Sequence, residues 1–275
     1  MDTGKPKTQL KKEDEFSGKG RTYVGHEDPY LESLAVGRYK FALNYIHEGS
    51  VCLDAASGSG YGTEMISQKA GKVIGLEYDL ESIKFAKQHH NNSNIEYRQA
   101  DLTCKLDLSN SYFDVIISIE TIEHITEHNM MMSEFRRVLK PGGLLIASTV
   151  EHEIYSEKGG IKNPHHVGEL TKKQLLDLIS LYFKPEEVYG QIKYLPLTWR
   201  QKLAKTAWIP FLTIVGKLDF LNLRYRIADL LHLHRLVVAV NNSYSSMADT
   251  SMEKTDFSDK NNYYQLMVIA RKTSG

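Results

Sequence analysis

The chain has 275 residues, 41% of them hydrophobic and 25% charged, enough to bury one large core with an accessory element. Lys plus Arg (34) equals Asp plus Glu (34), so global charge singles out neither a polyanionic nor a polycationic partner. Two cysteines exclude a disulfide framework, and no apolar run reaches the roughly 18 residues that a membrane span needs, so a reducing cytoplasm is the expected setting.

Residues 1–20 are polar and lysine-rich, without an apolar signal core, and are expected to form a disordered tail ahead of a single domain over 21–275. From Pro29 to about His47 the residues Leu31, Leu34, Ala35, Tyr39, Ala42, Leu43 and Ile46 recur at helical spacing, which predicts an N-terminal cap over about 21–48. Strands and helices then alternate. Strands are predicted at 51–54, 72–77, 95–100, 113–119, 143–149, 186–191 and 263–271, and helices at 62–70, 80–90, 129–139 and 171–182. Such alternation implies an α/β fold, a parallel sheet with helices on both faces. Lys140-Pro141-Gly142-Gly143 ends one helix and starts a strand, because proline cannot continue the helix and glycine accepts the turn. The stretch 193–262 far exceeds the usual ~4–6 residue connection and is expected to be a helical insertion on the acceptor side, with a polar connector over 241–262.

The stretch Val51 to Gly62 organises the rest. A short apolar run ends on Asp54, Gly58, Gly60 and Gly62 follow at every second position, and a helical pattern begins. This reads as strand, tight turn and helix, with a nucleotide-like ligand at the strand's carboxyl end. The spacing is G-x-G-x-G, not the dinucleotide G-x-G-x-x-G, and a carboxylate at Asp54 repels a pyrophosphate but suits a cation. S-adenosylmethionine carries both an ammonium and a sulfonium centre. Glu77, closing the second strand, is placed to accept the hydroxyls of a ribose, with Asp79 as its rival. Asp101, closing the third, is placed to accept from an adenine amino group. Any one of these acids alone reads equally well as a helix cap or turn residue.

Taken in order, Leu53-Asp54-x-x-x-Gly58-x-Gly60-x-Gly62, Gly75-Leu76-Glu77, Ala100-Asp101, Phe113-Asp114-Val115-Ile116 and Leu139-Lys140-Pro141-Gly142-Gly143 resemble the successive motifs of class I S-adenosylmethionine-dependent methyltransferases. The resemblance implies a Rossmann-like seven-stranded sheet of order 3-2-1-4-5-7-6 with the last strand antiparallel. It also implies that the cofactor lies along Asp54, Ala55, Ala56, Gly58, Gly60, Glu77, Tyr78, Asp101 and Leu102. Glu120 and Arg38 would complete that set, Arg38 reaching the methionine carboxylate while Tyr23, His26 and Tyr39 fold over the ligand; the alternative is that Tyr39 is core and Arg38 a surface charge. The commoner loop has glycine where Ala56 stands, a small loss if the backbone there is ordinary.

The fourth strand ends in Glu120-Thr121-Ile122-Glu123-His124, and two carboxylates and an imidazole at i, i+3 and i+4 share a face if the turn is helical. Hard oxygens plus nitrogen suit Mg²⁺, Mn²⁺ or zinc. The E-x-x-E-H segment resembles that of ubiquinone-pathway O-methyltransferases and of enzymes methylating the terminal 2′-hydroxyl of small RNAs. In the latter a histidine in an H-x-x-E-x-T setting completes a metal site. His166-Val167-Gly168-Glu169-Leu170-Thr171 matches that setting, so the expected ligands are Glu120, Glu123, His124 and His166. The alternative is that Glu120 and His124 line the methionine end and that Glu169 and Thr171 cap the following helix.

The expected activity is O-methylation of a sugar, glycan or natural-product hydroxyl, with Glu120 at the reacting end and His124 or His165 taking the proton. A quinone-precursor catechol enzyme is the first alternative, and an inactive cofactor-binding partner subunit the second. The insertion carries Lys193, Arg200, Lys202, Lys205, Lys217, Arg224, Arg226 and Arg235 among Trp199, Trp208, Phe211 and Phe220. That composition suits an anionic or lipid-linked acceptor or peripheral membrane contact, and equally a packed helical lid with a solvated basic face. No RNA-binding module is evident, which argues against nucleic acid.

Overall fold

The computed structural model describes residues 29–158, 163–191, 252–255 and 263–273. Helix α1 (Pro29–Ala42) runs into a 3-10 turn (Leu43–Tyr45) ahead of β1 (Val51–Ala55), α2 (Tyr61–Ser67), β2 (Lys72–Glu77), α3 (Leu80–His89) and β3 (Ile95–Gln99). There follow β4 (Phe113–Ile119), a 3-10 turn (Ile122–His124), α4 (His128–Val138) and β5 (Leu139–Val150). A π-helical turn (Glu153–Lys158), α5 (Lys172–Tyr182), β6 (Lys184–Gln191), β7 (Met252–Thr255) and β8 (Gln265–Arg271) complete the described elements.

The strands form one sheet in the order β3-β2-β1-β4-β5-β8-β6-β7. β1 to β5 pair in parallel, while β8 runs antiparallel between β5 and β6. The expected order therefore holds, with one strand more. Met252–Thr255 pairs antiparallel with Val188 to Gln191, inside the stretch expected to be a polar connector. Its physical reason is the open edge of β6, whose backbone groups take a partner strand.

Side chains alternate across the sheet as a period of two requires. Leu53, Ile74, Ile116, Leu145 and Val268 face Met131, Met132 and Phe135 of α4 and Leu175 and Ile179 of α5. Cys52, Val73, Val115, Ile117, Ile146 and Met267 face Tyr39, Ala42, Ile46 and Ile66 on the opposite side. Strand β5 starts earlier than expected, at Leu139. Phe113 pairs with Leu139 and Val115 with Leu144, so Lys140 to Gly143 is an irregularity within the strand, with Gly142 at φ +78°. This packing fixes the carboxyl ends of β1 to β4 along one rim, where the polar residues collect. Among the described residues no helix is long and apolar enough to cross a membrane.

Candidate functional site

The turn from β1 to α2 passes through Ala56, Gly58 and Gly60, with φ of +64°, +55° and +92°. The condition for a small loss at Ala56 is not met: alanine there occupies the left-handed region, at a cost of about 1–2 kcal/mol. Gly60 is required by contact as well as angle, since a Cβ would meet Ala86 Cβ and the Tyr97 hydroxyl at 2.7 Å. A Cβ on Gly62 would lie 2.1 Å from the Tyr39 ring, so this glycine lets the cap helix rest on α2. Around Gly58, by contrast, a Cβ would meet nothing within 4 Å. The turn offers bare backbone to open space, the feature a nucleotide-sized ligand needs for close approach.

Asp54, expected to face a cationic ligand, is fully buried. Its oxygens accept from the Thr63 hydroxyl at 2.6 Å and the Tyr39 hydroxyl at 3.2 Å, so it ties the cap to the turn. Burial raises its pKa from 3.8 to about 6, against the lowering effect of those two hydrogen bonds and with a further push from Glu77. Glu77 closes β2 beneath the turn and accepts from the Gly58 N–H at 3.0 Å and the Asp79 N–H at 2.9 Å. Asp79 is the N-cap of α3, accepting from the Ser82 N–H and hydroxyl at 2.9 Å each. Asp101 accepts from the Thr103 N–H at 2.8 Å and hydroxyl at 2.6 Å, a local turn. Ala55 and Leu102 are buried and Tyr78 stands exposed beside Glu77.

At the end of β4, Glu120 has φ +51° and its N–H donates to the Ser148 carbonyl at 3.1 Å. Arg38, expected to reach a bound carboxylate, is buried and lies against Glu120. It pairs with Glu120 at 2.7 Å and donates to Gln191 Oε1 at 2.7 Å and to Gln265 Oε1, while Gln265 Nε2 donates to Glu120. Glu120 is thereby engaged by Arg38 and Gln265 and, though expected as a fourth metal ligand, does not join the group formed by the other three.

The other three expected ligands do converge. One ligand atom each from Glu123, His124 and His166 lies within 4.8 Å of the others. Burial, with Glu120 nearby, pushes the Glu123 carboxyl up to about 8, although the Thr149 hydroxyl donates to it at 2.9 Å. Burial pulls the His124 pKa down. The segment bearing His166 is docked by Gly168, whose N–H donates to the Glu123 carbonyl at 2.9 Å. A Cβ there would fall 1.8 Å from the Ile125 carbonyl oxygen. His165 is exposed and its carbonyl accepts from His124 Nδ1 at 2.9 Å. Burial raises the Glu169 carboxyl, but donors from Ser156, His152 and His166 outweigh that and hold it below its usual range. Thr171, with Gln174, caps α5. The sequence reading missed Ser148, Thr149, Gln191 and Gln265, because single polar residues in strands carry no spacing signal, and His152, a lone histidine just after β5. Tyr23, His26 and the basic residues of the insertion lie outside the described residues.

Residues 53–147 match the family model described as a methyltransferase domain. A Mycolicibacterium smegmatis protein named a probable S-adenosylmethionine-dependent methyltransferase is 31% identical over 144 residues, 52% of this chain and 55% of that protein. The ubiquinone biosynthesis O-methyltransferase of Cereibacter sphaeroides is 30% identical over 148 residues, 53% of this chain and 59% of that enzyme. The chain thus spans somewhat over half the length of these curated relatives. The N-methyltransferase NodS of Bradyrhizobium japonicum, solved with S-adenosyl-L-homocysteine, is 12% identical with a TM-score of 0.58, covering 96% of this chain and 98% of that one. At that identity the fold is what is shared.

Proposed function

We propose a reaction for a chain that belongs, by its residues 53–147, to the class I S-adenosylmethionine-dependent methyltransferases: methylation of a hydroxyl on a sugar-like, glycan or natural-product acceptor. The observation that carries the hydroxyl reading is the meeting of Glu123, His124 and His166 within 4.8 Å at the end of β4. Bound on the glycine turn, S-adenosylmethionine supplies an electrophilic methyl group on a sulfonium sulfur. The bare backbone around Gly58 supports that binding, with Glu77 toward the ribose and Asp101 toward the adenine.

An alcohol gives up its proton reluctantly, so an oxygen acceptor needs a base beside it. His124 suits that role. Its Nδ1 donates to the His165 carbonyl, which leaves Nε2 to take the acceptor's proton, and partial desolvation favours the neutral ring. One carboxylate and two imidazoles also form a donor set that fits a divalent ion, Zn²⁺ or Mn²⁺ better than Mg²⁺. An ion held by Glu123, His124 and His166 would acidify a neighbouring hydroxyl, and exposed His165 would then be the remaining imidazole for the proton.

Identity of 30% to a ubiquinone biosynthesis O-methyltransferase supports a second reading, methylation of a catechol-type quinone precursor. The test is methyl transfer from labelled cofactor to a panel of glycosides, catechols and amines, with and without chelator. Hydroxyl products that fall at least tenfold with His124→Ala are expected. Methylation confined to amines would overturn the reading, and tight cofactor binding without turnover on any acceptor would favour a partner subunit. An anionic or lipid-linked acceptor remains supported only by the composition of the insertion.

A further inference from the structure

We infer that Glu169 is a positioning residue, holding His166 through Nδ1 so that the ring presents Nε2 as its lone pair to Glu123 and His124. What that nitrogen is used for rests on the function proposed above; its orientation and tautomer do not.

Three donors converge on the Glu169 carboxylate. His166 Nδ1 lies 2.8 Å from Oε1, and His152 Nδ1 lies 2.9 Å from Oε2, which also accepts from the Ser156 hydroxyl. A carboxylate so engaged can only accept, so His166 must carry its hydrogen on Nδ1. The His166 and Glu169 side chains are 7% and 8% exposed, which sets this pair apart from a screened surface contact. Helix capping does not account for Glu169, because Thr171 and Gln174 already form the capping box of α5.

The backbone around Glu169 is fixed on both sides. Gly168 donates to Glu123, and the His152 N–H donates to the Leu170 carbonyl at 3.1 Å. His124 obeys the same logic: its Nδ1 faces the His165 carbonyl, again an acceptor only. Both rings, T-shaped with centroids 4.9 Å apart, therefore keep Nε2 for a proton or a ligand. An imidazole whose second nitrogen is held by a carboxylate is a better-oriented and more basic donor. Without Glu169, a neutral His166 would relax toward the Nε2–H form that imidazole prefers in water, and the lone pair would turn away.

Long-range ¹⁵N–¹H correlation spectra of the histidine-labelled full chain, recorded above pH 7.5 and assigned with His166→Gln, read the tautomer directly. The wild type is expected to show His166 protonated on Nδ1. Glu169→Gln, whose amide oxygen still accepts, should retain that form, and Glu169→Ala should move it to Nε2–H. Zinc alone, titrated calorimetrically, should bind roughly 10–100-fold more weakly to Glu169→Ala. A wild-type ring protonated on Nε2 overturns the inference and needs no variant that must fold. An unchanged tautomer in a folded Glu169→Ala overturns it as well. The expected tautomers together with no zinc binding and no methyl transfer would uphold the positioning role while removing the function proposed above.

Discussion

Arg38 of the cap helix and Glu120 at the end of β4 are joined by a 2.7 Å ion pair across the rim of the sheet. Arg38 is 3% exposed and Glu120 34%, so the pair is buried on one side and wet on the other. It ties the cap to the β4 end, and Gln191 and Gln265 bring in β6 and β8.

Removing either partner should be unequal in cost. Arg38→Met strands Glu120 and two glutamines, and should lower stability to urea by about 2 kcal/mol, below the ~3–5 kcal/mol of a fully buried pair because Glu120 can turn to water. Glu120→Gln should cost less, since its amide still accepts from Arg38. A double-mutant cycle reads the coupling, and values that simply add would show that the pair contributes nothing.

Ala56 sits at φ +64°, where glycine rests without strain. Ala56→Gly relieves about 1–2 kcal/mol in the folded chain and returns roughly 0.5–1 kcal/mol through the freer unfolded chain. The expected net gain of about 0.5 kcal/mol should raise the midpoint of thermal unfolding by roughly 1–2 °C. A fall in that midpoint would show that the alanine methyl packs usefully.

The glycines of the turn should part company on substitution. Gly62→Ala forces a methyl into the Tyr39 ring and should destabilise by about 1–3 kcal/mol, loosening the cap first. Gly58→Ala meets open space, so its cost should be confined to the left-handed angle, about 1 kcal/mol. Its larger effect should be on affinity for S-adenosylhomocysteine, measured calorimetrically. Equal loss of affinity and equal stability in the two variants would argue against the turn as the ligand's seat.

Asp54 gives the pH dependence a sign. Its folded pKa, about 6, lies above the ordinary 3.8, so the folded chain holds a proton that the unfolded chain has already released. Between those values stability falls as pH rises, and above about 6 the penalty is complete. Asp54→Asn removes this titration. Relative to the wild type, its stability to urea should improve from pH 4 to pH 6.5 and then level off, and a flat difference would place the folded pKa near its ordinary value.

The alternation of strands and helices and the glycine turn were legible from local patterning, apolar runs bounded by turns with acids at strand ends, whereas the strand order was implied by the resemblance that the motifs carry. Arg38 was not. One arginine on a helix looks the same in sequence whether it points to water or under the sheet, and its destination depends on Gln191 and Gln265, far along the chain. Strand β7 was hidden for a similar reason. Met252–Thr255 is short and mostly polar, and only the open edge of β6 makes a strand of it. At the end of β4 the residue types were readable, yet the separation of Glu120 from Glu123 was not, because it arises from a left-handed backbone at Glu120.

The docking of Gly168 against the turn at Ile122–His124 means that the three converging donors come from two distant stretches of one chain. Whatever they grip together bridges the loop between His124 and His166 in the folded chain alone, since unfolding scatters the three donors. Occupancy is then visible without any acceptor in hand. A ligand at 100 times its dissociation constant should stiffen the molecule against unfolding by about 2.7 kcal/mol, so a melting curve can search for what this corner holds.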